Sequence, residues 1–560
     1  MKNIKQYLLW FTALQVIHFS ILTYWILSGI SAIYGTNDDS LMSSISSGTI
    51  TGNIDEHLIF IEPIFSIIIK YLEILLPNYS GYTFFLIFIA TSSYVSVLTT
   101  VIILKKVNIY FIVIYLFAFT SLISWFAINP TYTGASLFAA GAAATHINLL
   151  FLNQVKIEQF MKLILIIFSI FCFISYAIRN EGLYIAAVLS IPGLISVIKN
   201  LSLIKKFIKF SVLPFLLLYS INLLLNFQVY TSEWKPYLEM NELRHQIQLR
   251  EPERRLENQL TKINWNESTY YMFTKFILVD ETKLNRTNMQ KIINVTKTSY
   301  LKDFKFDKTV LEIKNKFQLW TWILKYLIFL IFFSVLLNRN MKEFKILLLY
   351  LIILSFSGLI LLLNLGSFYQ LPERISFNFL CALTLTLLIT LLGNMNERMK
   401  RFNYIFIAIL FLGTYDYFGR FNTELDARQN AYQTRLVYAN NQKMSFSNLN
   451  SELIVSGASS VKSDWQNPYY KFQSIDPRNK TVILGWHNLS PIWFKQVNEL
   501  FPQSKDFYSN LLDSNIYWVD SPEEIENTKK FIEEHLKAKV KYNVVKEIGN
   551  SEYYLFKFYQ

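Results

Sequence analysis

Cysteine and charge are the features that this sequence has least of. Only two cysteines occur in 560 residues, Cys172 and Cys381, and both lie inside apolar runs. This excludes a disulfide framework and a cysteine metal site. Charged residues make up 17% of the chain and apolar residues 52%, a balance that soluble proteins of this length rarely have. The apolar residues form uninterrupted blocks of about 20, which is the length of a bilayer-spanning helix. The composition therefore predicts an α-helical polytopic membrane protein.

The sequence also lacks a basic, aromatic-interleaved surface separate from the apolar blocks, so we expect no nucleic-acid partner despite the net charge of +13. Most of the positive charge lies in short loops between apolar blocks, as the positive-inside rule requires of cytoplasmic loops. Abundant Ile, Lys and Asn are typical of an AT-rich genome, and we expect a multi-pass protein of a bacterial cell membrane.

Eleven membrane spans are predicted, and placing the N-terminus in the cytoplasm puts every short basic loop on the cytoplasmic side. The spans are 7–33, 81–104, 109–127, 133–152, 162–178, 182–198, 210–228, 318–337, 345–364, 374–393 and 402–418. The apolar stretch 59–77 is not counted, because it contains Glu62, Lys70 and Glu73 and would reverse every later loop. We predict an amphipathic or re-entrant helix there, at the outer surface.

Four regions follow from this topology. They are an N-terminal membrane domain (1–228) with an acidic external loop (35–80), an extracytoplasmic loop domain (229–317), C-terminal spans (318–419), and an extracytoplasmic α/β domain (420–560). Helical patterns occur around 236–262 and 283–298. In the C-terminal domain we predict strands at TVILGW, NIYWV, VKYNVVKEI and EYYLFKFY, and a helix at SPEEIENTKKFIEEHLK.

The polar groups gather on the predicted outer side. The loop after the first span contains Asp38, Asp39, Asp55, Glu56 and His57. A carboxylate beside an apolar wall is partly desolvated, which raises its pKa and makes it a better general base. The alternative is a hydrophilic loop without chemistry.

Two arginines mark the outer ends of later spans. Arg179 and Glu181 lie in a turn of almost no length, and Arg374 precedes a long apolar run. Each arginine has a simpler interpretation as an interfacial anchor. However, a guanidinium binds phosphate through two parallel hydrogen bonds. A substrate with an isoprenoid tail would place its phosphate beside Arg179 or Arg374 and its sugar in the loop, near a carboxylate base.

These motifs resemble the first external loop of the GT-C membrane glycosyltransferases, and more closely bacterial multi-pass proteins of cell-surface polysaccharide loci. The matching residues are NDD (37–39), SG (47–48), TG (51–52), DEHLIF (55–60), the IR–E–G turn (178–182), Asn-x-x-Arg (241–244) and FILVDE (276–281). The resemblance implies a polyprenyl-phosphate or polyprenyl-diphosphate sugar donor, used on the extracytoplasmic side, with Asp38 or Asp39 as catalytic base. The Trp-Trp-Asp motif of oligosaccharyltransferases is absent, so protein N-glycosylation is not expected.

The sequence thus predicts an inverting glycosyltransferase that acts on a cell-surface glycan or lipid acceptor. The expected substrate-binding residues are Asp55, Glu56, His57, Arg179, Glu181, Arg244 and Arg374. We expect no cofactor, although a divalent ion held by Asp39 with Glu56 or His57 is an open alternative. The oligomeric state is open as well.

Two other functions compete with this one. A polysaccharide polymerase or ligase would depend on loop arginines such as Arg244, Arg250, Arg254 and Arg255 rather than on Asp38. A flippase or transporter would carry charges within its spans and have duplicated halves, and this chain has few of the former and no visible repeat. The C-terminal domain is either a structural cap or a module for binding the acceptor.

Overall fold

The structure, a computed structural model, describes most of the chain before residue 301 and most of the C-terminal domain. The described ranges are 2–50, 52–104, 118–151, 158–248, 265–300, 436–449, 453–457, 466–471, 480–501, 506–513, 515–548 and 553–560, with isolated residues between them. The predicted spans from 318 to 418 lie almost entirely outside these ranges, and so does Arg374.

The described chain up to residue 248 is helical. Its helices are α1 (Lys2–Leu27), α2 (Asn37–Ser46), α3 (Pro63–Leu75), α4 (Gly81–Ile103), α5 (Ser124–Ile128), α6 (Tyr132–Phe151), α7 (Glu158–Ile178), α8 (Asn180–Leu189), α9 (Ile191–Ile198), α10 (Leu201–Phe207), α11 (Leu213–Val229) and α12 (Lys235–Gln248). One π-helical turn precedes α5, and another joins α10 to α11.

Several of these helices are long and apolar enough to cross a membrane. Among the described residues there are five, at Ile4–Leu27, Gly81–Ile103, Tyr132–Phe151, Phe160–Ile178 and Leu201–Val229. The pair α8 and α9, bent by 65°, would make a sixth. These helices correspond to six of the seven spans predicted before residue 229. The seventh, 109–127, is described continuously only from residue 118, and its described part is a shorter apolar helix, Phe119–Ile128. The total of eleven therefore stays a prediction.

Helix α3 corresponds to the predicted surface helix. It begins with Pro63, a residue suited to a first helical turn. Its 13 residues rise only about 20 Å, less than the roughly 30 Å of a bilayer core. One face buries Phe65 and Ile69, while the other exposes Tyr71 and Leu75. An apolar outer face on so short a helix is suited to the membrane interface.

The helix bundle has two different ends. We call the end beside the acidic loop the polar end, and the end with the lysines the basic end. Glu62, directly before α3, contacts the end of α7: its backbone N–H donates to the Ala177 carbonyl at 2.8 Å. The chain after α1 pairs with the end of α5 through the Ile33 N–H and the Ile128 carbonyl, at 3.1 Å. At the opposite ends of these helices, Lys206 forms an ion pair with Glu158 at 3.3 Å. The acidic loop and the lysines are thus separated along the helix axes, as the sequence predicts.

Gly182 allows the close packing at the start of α8. A Cβ atom at this position would lie 2.1 Å from Ser136 Oγ and 2.4 Å from Ser175 Oγ. Only glycine lets α8 approach α6 and α7 so closely, and this contact brings the α7–α8 junction beside the start of α6.

The C-terminal domain contains a five-stranded sheet with the order β2-β1-β3-β5-β4. Its strands are β1 (Leu453–Gly457), β2 (Thr481–Leu484), β3 (Ile516–Asp520), β4 (Lys541–Glu547) and β5 (Tyr554–Tyr559). Strands β1, β2 and β3 are parallel, and β5 is antiparallel to both β3 and β4. The four predicted strands are confirmed, whereas β1 is a strand that the sequence analysis missed.

Helices cover this sheet and connect it to the loop region. They are α13 (Glu267–Thr274), α14 (Arg286–Tyr300), α15 (Pro491–Leu500), α16 (Phe507–Asn510) and α17 (Ile525–Leu536). Lys275, directly after α13, forms an ion pair with Glu524. The segment after α13 is also held by His535, which lies 3.1 Å from both Asp280 and Asp506. The described parts of the loop domain and of the C-terminal domain therefore pack as one unit.

The C-terminal domain rests on the polar end of the bundle. Segment 466–471 lies across the helix ends, where Asn467 donates to the Ile30 carbonyl at 3.0 Å and Tyr469 donates to the Ala127 carbonyl at 2.7 Å. The Pro468 carbonyl accepts from Thr83 at 2.6 Å. This docking places the sheet beside the acidic loop.

Candidate functional site at the polar end of the bundle

Asp38 and Asp39 lie in the first turn of α2, the short helix that follows α1. Thr36 caps this helix by accepting from the Asp39 N–H at 3.3 Å. Two carboxylates in a first turn also interact favourably with the helix dipole. The Ser-rich segment after the first span is therefore an ordered helix, and its two acids have fixed positions.

Asp39 is completely buried and connects three helices. Its carboxylate accepts hydrogen bonds from Thr36 Oγ1 at 2.7 Å, from Tyr82 of α4 at 2.7 Å and from the backbone N–H of Tyr132 in α6 at 2.8 Å. Burial raises the pKa of Asp39 to about 6, although these hydrogen bonds oppose the shift. Because its oxygens accept these three hydrogen bonds, Asp39 fixes the start of α2 against α4 and α6.

Asp38 is half-buried and acts electrostatically on two arginines from distant parts of the sequence. Arg179, at the α7–α8 junction, donates to Thr133 Oγ1 at 2.5 Å and to Glu181 Oε2 at 3.1 Å. Its guanidinium lies 5.4 Å from the centre of the Tyr132 ring. Burial disfavours its charge, but Tyr132, Glu181 and Asp38 outweigh burial and raise the pKa of Arg179.

Arg244 reaches the same region from α12 and is 3% exposed. It donates to Asn241 Oδ1 at 2.5 Å and to the Trp486 carbonyl, and its guanidinium lies 5.3 Å from the centre of the Phe276 ring. Burial lowers the pKa of Arg244, while Tyr237 and the charge of Asp38 oppose that effect. Arg244 forms no ion pair with a carboxylate of the described residues. A buried guanidinium without a paired anion is costly, and a bound phosphate would remove that cost.

The remaining acidic and imidazole groups of the first loop interact with each other and with the scaffold. His57 Nδ1 lies 2.5 Å from Asp55 Oδ1, and His57 Nε2 lies 3.0 Å from the Val229 carbonyl. Burial disfavours the charged ring, but these two acceptors outweigh it and raise the pKa of His57. Glu56 pairs with Lys70 at 2.5 Å. These contacts anchor the loop to α11 and α3, so their predicted role in substrate binding stays a prediction.

A divalent ion held by Asp39 with Glu56 or His57 is an open alternative from the sequence. In the structure, each of these side chains contacts different partners. Across the described ranges, no group of three or more His, Cys, Asp or Glu side chains could hold a metal ion.

Trp486 and His487, in the loop that follows β2, lie near Arg244 and were not predicted as site residues from the sequence. His487 is completely buried, and its ring interacts with the Ile483 backbone, but neither ring nitrogen reaches hydrogen-bond geometry with a described residue. The indole N–H of Trp486 also lacks a hydrogen-bond partner among the described residues. Burial and the nearby Arg244 lower the pKa of His487 to about 3, against a smaller effect of the Ile483 backbone. The ring is therefore neutral.

An aromatic row joins the two arginines. The Tyr132 ring, beneath Arg179, stacks on Phe60 with centroids 5.8 Å apart, and Phe60 contacts Trp486 edge to face at 4.9 Å. The Trp486 carbonyl in turn accepts from Arg244. The polar end of the bundle thus combines a half-buried carboxylate, a partly buried Arg179, a buried Arg244 and a row of aromatic rings between the two arginines.

Comparison with known proteins gives no relative from which to name this site: no family model, curated protein or solved structure matches the chain.

Proposed function

We propose that this protein is an inverting membrane glycosyltransferase of the GT-C kind, with a polyprenyl-phosphate or polyprenyl-diphosphate sugar as donor and a cell-surface glycan or lipid as acceptor. The observation that carries the proposal is the row of contacts that joins Arg179 to Arg244 through Tyr132, Phe60 and Trp486, at the end of the bundle where α2 holds Asp38. A carboxylate beside two cations at the end of an apolar bundle matches a substrate with a phosphate between a sugar and a lipid tail.

In the proposed reaction, Arg179 and Arg244 hold the donor phosphate. Asp38 accepts the proton of an acceptor hydroxyl, and the hydroxyl oxygen attacks the anomeric carbon of the donor sugar. The bond between that carbon and the phosphate oxygen breaks, and the lipid phosphate leaves with the electron pair. The arginines stabilise the charge that develops on it. Attack opposite the leaving group inverts the anomeric configuration.

Asp39 and Glu181 are positioning residues in this mechanism. Asp39 fixes the start of α2, and therefore Asp38, against Tyr82 and Tyr132. Glu181 orients Arg179 through its contact with Nε, and Thr133 accepts from Nη1, so in this mechanism Nη2 donates to the phosphate. The positive-inside pattern of the sequence supports an extracytoplasmic location for the site.

The direct test is the surface glycan of cells that produce Asp38→Asn. We expect its product to be lost while the amount of protein in the membrane is unchanged. Glu158→Gln is the control, because Glu158 is an exposed acid at the opposite end of the bundle, where it pairs with Lys206. Normal glycan in the Asp38→Asn strain would refute the proposal.

Polysaccharide polymerisation is the second candidate, and the burial of Arg244 beside Asp38 favours it as well, since such enzymes depend on loop arginines. The two functions differ in product length. Loss of a polymerase leaves single repeat units on the lipid carrier, whereas loss of a glycosyltransferase leaves an unmodified acceptor.

A further inference from the structure

We infer that Trp486 and His487 form a carbohydrate subsite, contributed by the C-terminal domain, which holds a hexopyranose ring next to Arg244. This inference deepens the proposed function and rests on it. It gives the C-terminal domain a direct role in substrate binding.

The position of the two residues supports a ligand site. They follow β2, at the carboxyl end of a parallel strand, which is the edge where open α/β sheets bind ligands. The loop Gly485–Ser490 is internally fixed, since Asn488 Oδ1 accepts from the Gly485 N–H at 2.9 Å. Asn488 Nδ2 also donates to the Phe276 carbonyl at 2.9 Å.

The backbone is strained on both sides of the contact between Asn488 and Phe276. Leu489 has φ 65° and Phe276 has φ 59°, and only three non-glycine residues of the described chain have such left-handed values. Non-glycine residues in this conformation persist only where surrounding contacts enforce it, and they cluster at binding and catalytic sites. Both residues lie next to the groups that face Arg244.

The unpartnered polar atoms identify the chemistry of the ligand. Buried polar groups in native proteins are almost always hydrogen-bonded. Within the part of the chain that the structure describes, the indole nitrogen of Trp486 has no partner, and the ring nitrogens of His487 have only an interaction with the Ile483 backbone that does not reach hydrogen-bond geometry. A neutral imidazole offers one donor and one acceptor, and an indole offers one donor. Sugar hydroxyls donate and accept in the same way.

The aromatic row provides the second half of a carbohydrate site. The rings of Phe60 and Trp486 contact each other here, and separating them would open an apolar surface for the C–H face of a pyranose. Because His487 stays neutral, a phosphate is directed to Arg244 and a neutral sugar to the loop. All three nitrogens are out of contact with solvent, so the subsite is closed here, and entry of a sugar requires Gly485–Ser490 to move away from Phe60.

The test uses the full chain in lipid nanodiscs and methyl hexosides (gluco, galacto and manno) as probes, with binding followed by saturation-transfer NMR. We expect at least one hexoside to bind. His487→Phe and Trp486→Phe should weaken that binding at least tenfold without lowering the unfolding temperature, because none of the nitrogens they remove reaches hydrogen-bond geometry with a described residue in the closed state.

Trp493→Phe is the matched control. Trp493 is also buried in the C-terminal domain with an unpartnered indole N–H among the described residues, but it packs against Phe494 and Phe507 instead of Phe60. Its hexoside affinity should equal that of the wild type. The inference is overturned if no hexoside binds, or if the His487 and Trp486 variants bind as the wild type does.

Polyprenyl phosphate without a sugar separates this inference from the proposed function. Its binding should depend on Arg179 and be unchanged in His487→Phe. Polyprenyl phosphate that binds independently of Arg179 would contradict the phosphate clamp and leave the subsite standing. A polyprenyl-phosphate hexose distinguishes the two sources of the sugar: displacement of the hexoside supports a donor subsite, and simultaneous binding supports an acceptor subsite.

Discussion

The burial of Asp39 has a measurable consequence for stability. Its pKa rises from 3.8 to about 6 in the folded protein, so folding favours the protonated carboxyl. The associated stabilisation is complete below pH 3.8, decreases between pH 3.8 and about 6, and is absent at higher pH. A shift of this size corresponds to about 3 kcal/mol.

Asparagine at position 39 resembles the protonated carboxyl but cannot ionise. The pH dependence of unfolding should therefore be weaker in Asp39→Asn than in the wild type, by about 3 kcal/mol across this window. Asp520, whose pKa burial also raises to about 6, titrates in both proteins and cancels in the difference.

The assay is thermal unfolding of both proteins in the same detergent, followed by tryptophan fluorescence at several pH values between 4 and 7. We expect the difference in unfolding temperature between the two proteins to change steadily with pH up to about 6 and then to stay constant. Parallel curves would show that Asp39 does not titrate in this range, and the structural role assigned to it would fail.

Three further predictions concern the scaffold and the site. Asp39→Ala leaves three donors without their acceptor and should lower the free energy of unfolding by about 3–5 kcal/mol. The assay is denaturation in detergent at pH 7. A loss below about 1 kcal/mol would contradict the role of Asp39 in connecting α2, α4 and α6. Asp280 and Asp506 raise the pKa of His535 to about 9. The stabilisation from this group should therefore be complete below pH 6.5 and be lost as the pH rises to about 9. Allowing for partial exposure, the change in the free energy of unfolding is about 1–2 kcal/mol, and it should vanish in His535→Phe. Gly182→Ala introduces a Cβ atom 2.1 Å from Ser136 Oγ and should cost about 1–3 kcal/mol, and an unchanged unfolding temperature would contradict the close packing of α8.

Much of the helical architecture could be predicted because hydrophobic length alone specifies it. Apolar blocks of bilayer length formed helices, and the basic loops identified the opposite end of the bundle from the acidic loop. The charges within 59–77 separated this stretch from the predicted spans, and the structure has a helix of 13 residues there. In the C-terminal domain, the strands with alternating apolar and polar residues could be predicted as well. Strand β1 was missed because its sequence of five residues, LIVSG, is too short to show an alternation.

The sequence identified residues that the structure places at one end of the bundle, but not how their contacts differ, and their roles in a site stay predictions. The sequence proposed Asp38, Arg179, Glu181 and Arg244, and the structure brings these four to one end of the bundle. It could not distinguish Asp38 from Asp39, because only packing decides which carboxylate is surrounded by Tyr82 and Tyr132. The sequence also gave no sign that Asp55 and His57 interact with each other, or that Trp486 and His487 would face Arg244.

The measurement closest to the central claim compares polyprenyl phosphate with the corresponding polyprenol as ligands of the full chain in nanodiscs. Each charge-assisted hydrogen bond contributes about 1.5–3 kcal/mol, so the two arginines should favour the phosphate by at least about a hundredfold. Arg179→Gln and Arg244→Gln should each remove at least about tenfold of that preference. Equal affinity for phosphate and alcohol, or a preference that survives both substitutions, would contradict the account.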